Sequence, residues 1–111
     1  LAARAKDLAR KAREGGLSMD DYQGSTFTVS NLGMFGVETF TPIVNQPNAA
    51  ILGVCAVQYE LDMDDETGTV FKRKVMRICM TYDHRLLDGA VAAKFKLEVK
   101  KLLEKPMDIL L

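Results

Sequence analysis

Histidine occurs once in the chain, at position 84, inside the stretch Thr81-Tyr82-Asp83-His84-Arg85-Leu86-Leu87-Asp88-Gly89. Imidazole is the side chain best suited to moving a proton near neutral pH, because it titrates close to that range. His84 stands where an alternating apolar run ends at Tyr82 and an amphipathic helical pattern begins after Asp88. A short turn between a strand and a helix holds a reactive group from both sides and leaves it exposed. Asp88, four residues on, offers a carboxylate that could hold the turn around a general base. Spacing alone favours a plainer account, a structural imidazole followed by an ordinary helix-capping aspartate.

Ser30 is the second candidate, at the end of a strand pattern beside the glycine loop Asn31-Leu32-Gly33-Met34-Phe35-Gly36. Its hydroxyl could donate to a developing oxyanion. Strand-end serines more often satisfy nearby backbone groups, and the pattern by itself favours that reading. Cys79 with His84 would make a nucleophile and base, but an apolar strand disfavours the thiolate. The glycine loop lacks the lysine and spacing of a phosphate loop. Neither cysteine belongs to a CxxC pair, and one histidine does not complete a zinc site. Asp62, Asp64, Asp65 and Glu66 lack the spacing and distal Glu of an EF-hand, so no metal is expected.

These residues need elements to hold them. Leu1, Ala5, Leu8, Ala9 and Ala12 share one face of an N-terminal helix that Gly15-Gly16 stops, and its basic remainder reads as a solvated surface. Ser18-Met19-Asp20-Asp21 suits a short capped turn. Thr26 to Ser30 alternates and is rich in β-formers, which predicts a strand. The two loop glycines permit positive φ or close backbone approach. Val37 to Val44 is ambiguous, with Pro42 against a central strand. Ala49 to Val57 is nearly continuous apolar sequence, the signature of a strand covered on both faces, and Gly53 within it marks tight packing against the backbone. Residues 62–69 read as an acidic hairpin loop leading to a long strand, Val70 to Tyr82. Val91, Ala92, Phe95, Val99, Leu102 and Leu103 recur at helical spacing, with Asp88 as N-cap and Pro106 past the end. The fold class expected is α/β (α+β), a two-layer sandwich with helices on one face of a mixed sheet. Ile109-Leu110-Leu111 is too apolar for a free tail and is expected to dock.

The chain has 111 residues, one small domain, with 15 basic and 15 acidic side chains. That balance argues against nucleic acid as a partner. No apolar run is long enough to span a bilayer and no signal-peptide layout is visible, so the chain reads as soluble, with no membrane association. Cys55 and Cys79 read as reduced core thiols, in keeping with bacterial cytoplasm or mitochondrial matrix. A first residue other than Met, already inside a helical pattern, suggests a piece of a longer polypeptide.

Taken together, the motifs resemble a known family. Tyr82 to Gly89 is similar to the DHRxxDG signature of the dihydrolipoyl acyltransferase (E2) core of 2-oxo acid dehydrogenase complexes, an element shared with the similarly folded chloramphenicol acetyltransferases. Gly24 to Gly33 resembles the family's GGTFTxSNxG strand, with Ser25 in place of a second glycine. Pro42 to Pro47, followed by Ala50-Ile51-Leu52-Gly53, resembles its PIxNxPxxAILG run. Three motifs in order cover residues 20–111, within 1–111 as a single, partial catalytic domain. The family's catalytic domain is about twice as long, and the first half, with part of the coenzyme A and lipoyl contacts, has no counterpart here.

The resemblance implies acyl transfer between dihydrolipoyl-lysine and coenzyme A, both as substrates. By it His84 is the catalytic base, Ser30 the transition-state donor, and Asp88 the acidic member that holds the turn. It further implies a homotrimer with His84 and Ser30 from neighbouring chains, trimers tied by the apolar tail into a cubic or dodecahedral core, and a lipoyl domain, E1 and E3 components as partners of the full-length chain. Ser30 to Gly36 looks most like the acetyl-transferring pyruvate dehydrogenase branch. The alternatives are branched-chain or succinyl transfer, or an E2-like assembly core without activity.

Overall fold

β-Branched and aromatic residues alternating with polar ones favour extended chain, and two such runs here are joined by a turn rich in Asp, Thr and Gly. The structure, a computed structural model, describes residues 1–110 except the side chain of Tyr22. Leu111, the last residue of the apolar tail, lies outside the described residues. The elements are α1 (Ala2–Glu14), α2 (Met19–Tyr22), β1 (Thr28–Asn31), β2 (Ala50–Met63), β3 (Val70–Tyr82) and α3 (Gly89–Glu104), with 3-10 turns at Gly33–Phe35 and Pro106–Leu110.

The strands form one mixed sheet in the order β1-β2-β3, with β1 parallel and β3 antiparallel to β2. The long apolar strand takes the centre, because only it is apolar enough to be covered on both sides. Ala50, Ile51, Leu52 and Cys55 are buried there, as is Ala92 of α3. α3 lies over the face that carries Ala50 and Met80, and Val91, Ala92 and Phe95 enclose a cavity of about 220 Å³ with Phe27. The rings of Phe27 and Phe95 meet at 5.7 Å between centroids. The other face is covered at Gly53 by Phe40, whose ring comes within 2.7 Å of where a Cβ would sit. The close approach expected at Gly53 is therefore an aromatic ring.

A bulge between Val54 and Val57 divides β2 into two unlike halves. Beyond it, Val57, Tyr59, Leu61 and Met63 share one exposed face. The opposite face carries two cross-strand ion pairs, Arg77 with Glu60 at 2.7 Å and Arg73 with Asp62 at 3.3 Å. Lys72 sits 4.5 Å above the Tyr59 ring. The strand expected to end at Val57 thus continues to Met63, and the acidic loop is shorter than residues 62–69. Asp64 N–H donates to the Thr69 carbonyl at 2.9 Å and Gly68, at φ 72°, donates to the Asp64 carbonyl.

Gly15 ends α1 at φ 74°, and Ser18 N–H donates to Asp21 Oδ2 at 3.0 Å to start α2. β1 begins at Thr28, two residues later than the alternation predicts, and residues 37–44 form no regular element. α1 buries none of its residues, so among the described residues α3 alone forms the helical layer.

Candidate active site

β3 does not stop cleanly at Tyr82. Asp83 N–H donates to the Ala49 carbonyl at 2.7 Å, which carries the ladder one residue further, and Leu86 and Leu87 N–H then both donate to the Asp83 carbonyl. His84, Arg85 and Leu86 are left as the apex of a closed turn. The Asp83 carboxylate braces that turn: Oδ1 accepts from Arg85 N–H and Nε at 3.0 Å each, and Oδ2 accepts from Nη2 at 2.8 Å. The guanidinium and backbone N–H of Arg85 hold the Asp83 carboxyl below the usual carboxylate range, and Asp83 raises Arg85 in return. Sequence reading missed this brace. An aspartate two residues before an arginine at a strand end is Asx-turn chemistry, and that signal was present.

His84 is exposed, and its ring tilts against Tyr82 at 5.7 Å between centroids and 37° between planes. The described residues give the imidazole no hydrogen bond. Asp88 has extended backbone, φ −92° and ψ 168°, and its Oδ1 accepts from Val91 N–H at 3.0 Å. It is the N-cap of α3, as the pattern predicts, and the carboxylate is committed to the helix start. A Cβ on Gly89 would come 3.2 Å from Tyr82 Oη, so the glycine lets α3 begin directly against the strand end.

Support from the other side comes from Asn48, a buried polar residue that the sequence showed only as part of a turn. Its Nδ2 donates to the Asn45 carbonyl at 2.7 Å and its Oδ1 accepts from Ser25 Oγ at 3.2 Å. The residue after it, Ala49, supplies the carbonyl that holds Asp83.

Ser30 is half-buried on β1, in register with Gly53, which is in register with Cys79. Paired residues share a face and strand faces alternate, so Ser30 points to the side of the sheet opposite Tyr82 and α3. Two strand spacings across and four residues along, from the level of Cys79 to Asp83, put it roughly 16 Å from the start of the His84 turn. One chain therefore does not bring Ser30 and His84 together. The loop beyond Ser30 uses its glycines both ways: Gly36 takes φ 74°, and at Gly33 a Cβ would meet Asn31 Oδ1 and the Cys55 carbonyl at 3.1 Å. Among the described residues no three His, Cys, Asp or Glu side chains converge on a metal-sized space.

A mixed sheet whose last strand runs into a braced histidine turn and a capped helix is the architecture of chloramphenicol-acetyltransferase-like acyl-transfer domains. The chain belongs to the family of 2-oxoacid dehydrogenases acyltransferase (catalytic domain), whose model matches residues 1–111. The mitochondrial dihydrolipoyllysine-residue acetyltransferase component of pyruvate dehydrogenase complex from Schizosaccharomyces pombe is 43% identical over 112 residues, which span 100% of this chain and 23% of the relative. The mitochondrial succinyltransferase component of 2-oxoglutarate dehydrogenase complex from Saccharomyces cerevisiae is 44% identical over 104 residues, 94% of this chain and 22% of the relative. Among solved structures, Azotobacter vinelandii dihydrolipoamide acetyltransferase, studied for the role of a serine, a histidine and an asparagine in its catalytic mechanism, superposes with TM-score 0.90 at 43% identity over 99% of this chain and 44% of that one. The cubic core of a pyruvate dehydrogenase multienzyme complex gives TM-score 0.90 at 42% identity with the same coverage. The chain thus spans under half of those solved chains and about a quarter of the curated relatives.

Proposed function

We propose that this chain is the C-terminal part of a catalytic domain that moves an acetyl group between dihydrolipoyl-lysine and coenzyme A. The observation that carries the reading is the exposed, braced His84 at the β3–α3 turn of a chain that overlays a dihydrolipoamide acetyltransferase along 99% of its length. Acyl transfer between thiols needs the attacking thiol deprotonated, and a free thiol near pKa 8.5 is mostly protonated at neutral pH. His84 takes that proton as the sulfur attacks the thioester carbon. Ser30, from an adjoining copy, donates to the carbonyl oxygen as it becomes an oxyanion. Collapse expels the other sulfur, which takes the proton back from His84.

Asp88 shapes the turn and moves no proton. The histidine and asparagine named for the Azotobacter enzyme are four positions apart, as His84 and Asp88 are, and both Asn and Asp are good N-caps. The domain works as a homotrimer within a larger core, for which the cubic particle is the solved precedent. Met107, Ile109 and Leu110 are 71%, 63% and 78% exposed, so the described tail is not packed on its own domain and fits an anchor between trimers. Lipoyl domain, E1 and E3 components join through the rest of the full-length chain, in mitochondrial matrix or bacterial cytoplasm.

There are two further readings. Identity to a succinyltransferase, 44%, falls within the 42–45% found for three mitochondrial acetyltransferases, and acyl pockets separate small groups by only about 1–3 kcal/mol, so succinyl transfer is the nearest alternative. An assembly core without activity is the other alternative. Acetyl transfer from acetyl-CoA to dihydrolipoamide by the full-length protein decides: turnover that His84→Ala abolishes with particle size unchanged supports the proposal, and intact particles without turnover favour the assembly reading.

A further inference from the structure

Cys55 and Cys79 have no part in the acyl transfer proposed above, and the inference drawn from them stands apart from it. The β2–β3 register sets Cys79 opposite Gly53, and Cys55 lies two residues along β2, inside the bulge. The two sulfurs are 3.6 Å apart and both thiols are free. Closing to a bond of about 2.05 Å requires only about 1.5 Å of approach, within reach of rotation about the two Cα–Cβ bonds.

The pair is asymmetric in access. Cys79 is half-buried on β3, the edge strand of the sheet, and its side chain lies on the face away from α3. Cys55, on the central strand β2, is 2% exposed. Burial, then the neighbouring Cys79 thiol, push the Cys55 thiol up, which slows its own reaction with an oxidant and leaves it as a protonated partner.

We propose that Cys79 and Cys55 form a peroxide-responsive pair, Cys79 reacting first and Cys55 closing a reversible disulfide between β3 and β2. In the first step the Cys79 sulfur, as thiolate, attacks a hydroperoxide. An S–O bond forms, the O–O bond breaks, hydroxide or alkoxide leaves, and Cys79 becomes a sulfenic acid, oxidised by two electrons. In the second the Cys55 sulfur attacks Cys79, the S–O bond breaks, and the Cys55 proton leaves with the hydroxyl as water. A small dithiol reductant returns both thiols and is itself oxidised to a disulfide. The cross-link ties the central strand to the strand that enters the catalytic turn, five residues before His84.

The test treats the native full-length protein with hydrogen peroxide, alkylates remaining thiols after unfolding, and maps the peptides. The expected result is a linked Cys55–Cys79 peptide, loss of both thiols from alkylation, and recovery of both with dithiothreitol. In Cys55→Ser, Cys79 should stop at a sulfenic acid that dimedone captures. If that variant does not fold, the wild-type map alone decides. Thiols that both remain alkylatable, or a Cys79 that passes to sulfinic acid with no linked peptide, would overturn the proposal.

Discussion

His84 owes its candidacy to position, and the structure adds what the position is made of. The imidazole is presented by a turn that Asp83 ties through its backbone to Ala49, the residue before β2, and braces through its carboxylate on Arg85. Three consequences can be measured. His84→Ala should lower acetyl transfer by about 10²–10⁴-fold, the usual contribution of a positioned general base. Ser30→Ala should lower kcat by about 10²–10³-fold with little change in KM, since an oxyanion donor acts mainly in the transition state. Asp83→Asn should loosen the turn at neutral pH, read as faster amide exchange at Leu86 and Leu87. The pH dependence follows the sign of the Asp83 shift. Its folded pKa lies below the unfolded one, so the brace is complete above the ordinary carboxylate range and is lost as pH falls through the lower, folded value. The three candidate site residues drew attention in the sequence because each sits at an element boundary. The brace went unread although its signal, Asp83 two residues before Arg85 at the end of a strand, stood in the sequence.

At the scale of elements, the pattern of side chains foretold β3 from Val70 to Tyr82, the glycine stop of α1, and α3 with its aspartate cap. Asp88→Ala should cost about 1 kcal/mol of stability and Asp88→Asn only a few tenths, because both Asp and Asn accept from the third helical N–H. Thermal unfolding of the two variants compares them. β2 was read too short. Its second half alternates around surface-exposed Tyr59 and Leu61, and the bulge that resets its faces has no sequence signature. Gly53 was read correctly as a tight spot, but the ring that fills it comes from Phe40, in a segment whose pattern was ambiguous. Gly53→Ala should therefore destabilise by about 1–3 kcal/mol through overpacking, and Phe40→Leu in the same chain should recover part of it.

As a whole, the molecule is open. Its Cα radius of gyration is 17.3 Å, against about 13 Å for a compact chain of this length. It exposes 8974 Å² where a compact 12.3 kDa monomer would show about 6,100 Å². The surplus exceeds what one partner gives up in a standard interface, about 800 Å². Uncovered residues such as Val57, Leu61, Phe71 and Leu110 account for part of it. Such a surface accords with a chain that spans under half of the solved chains it matches, and the placement of Ser30 and His84 on opposite sides of one chain's sheet is what the proposed division of the site between copies requires.

The most direct test of that division of the site is complementation. Full-length chains carrying His84→Ala are mixed with chains carrying Ser30→Ala, unfolded, reassembled together and assayed for acetyl transfer to dihydrolipoamide. If each site draws its base from one copy and its hydroxyl from the next, random mixing restores about a quarter of the sites. Activity should then rise well above that of either variant alone. Mixed particles no more active than the mean of the two variants would contradict a site shared between copies.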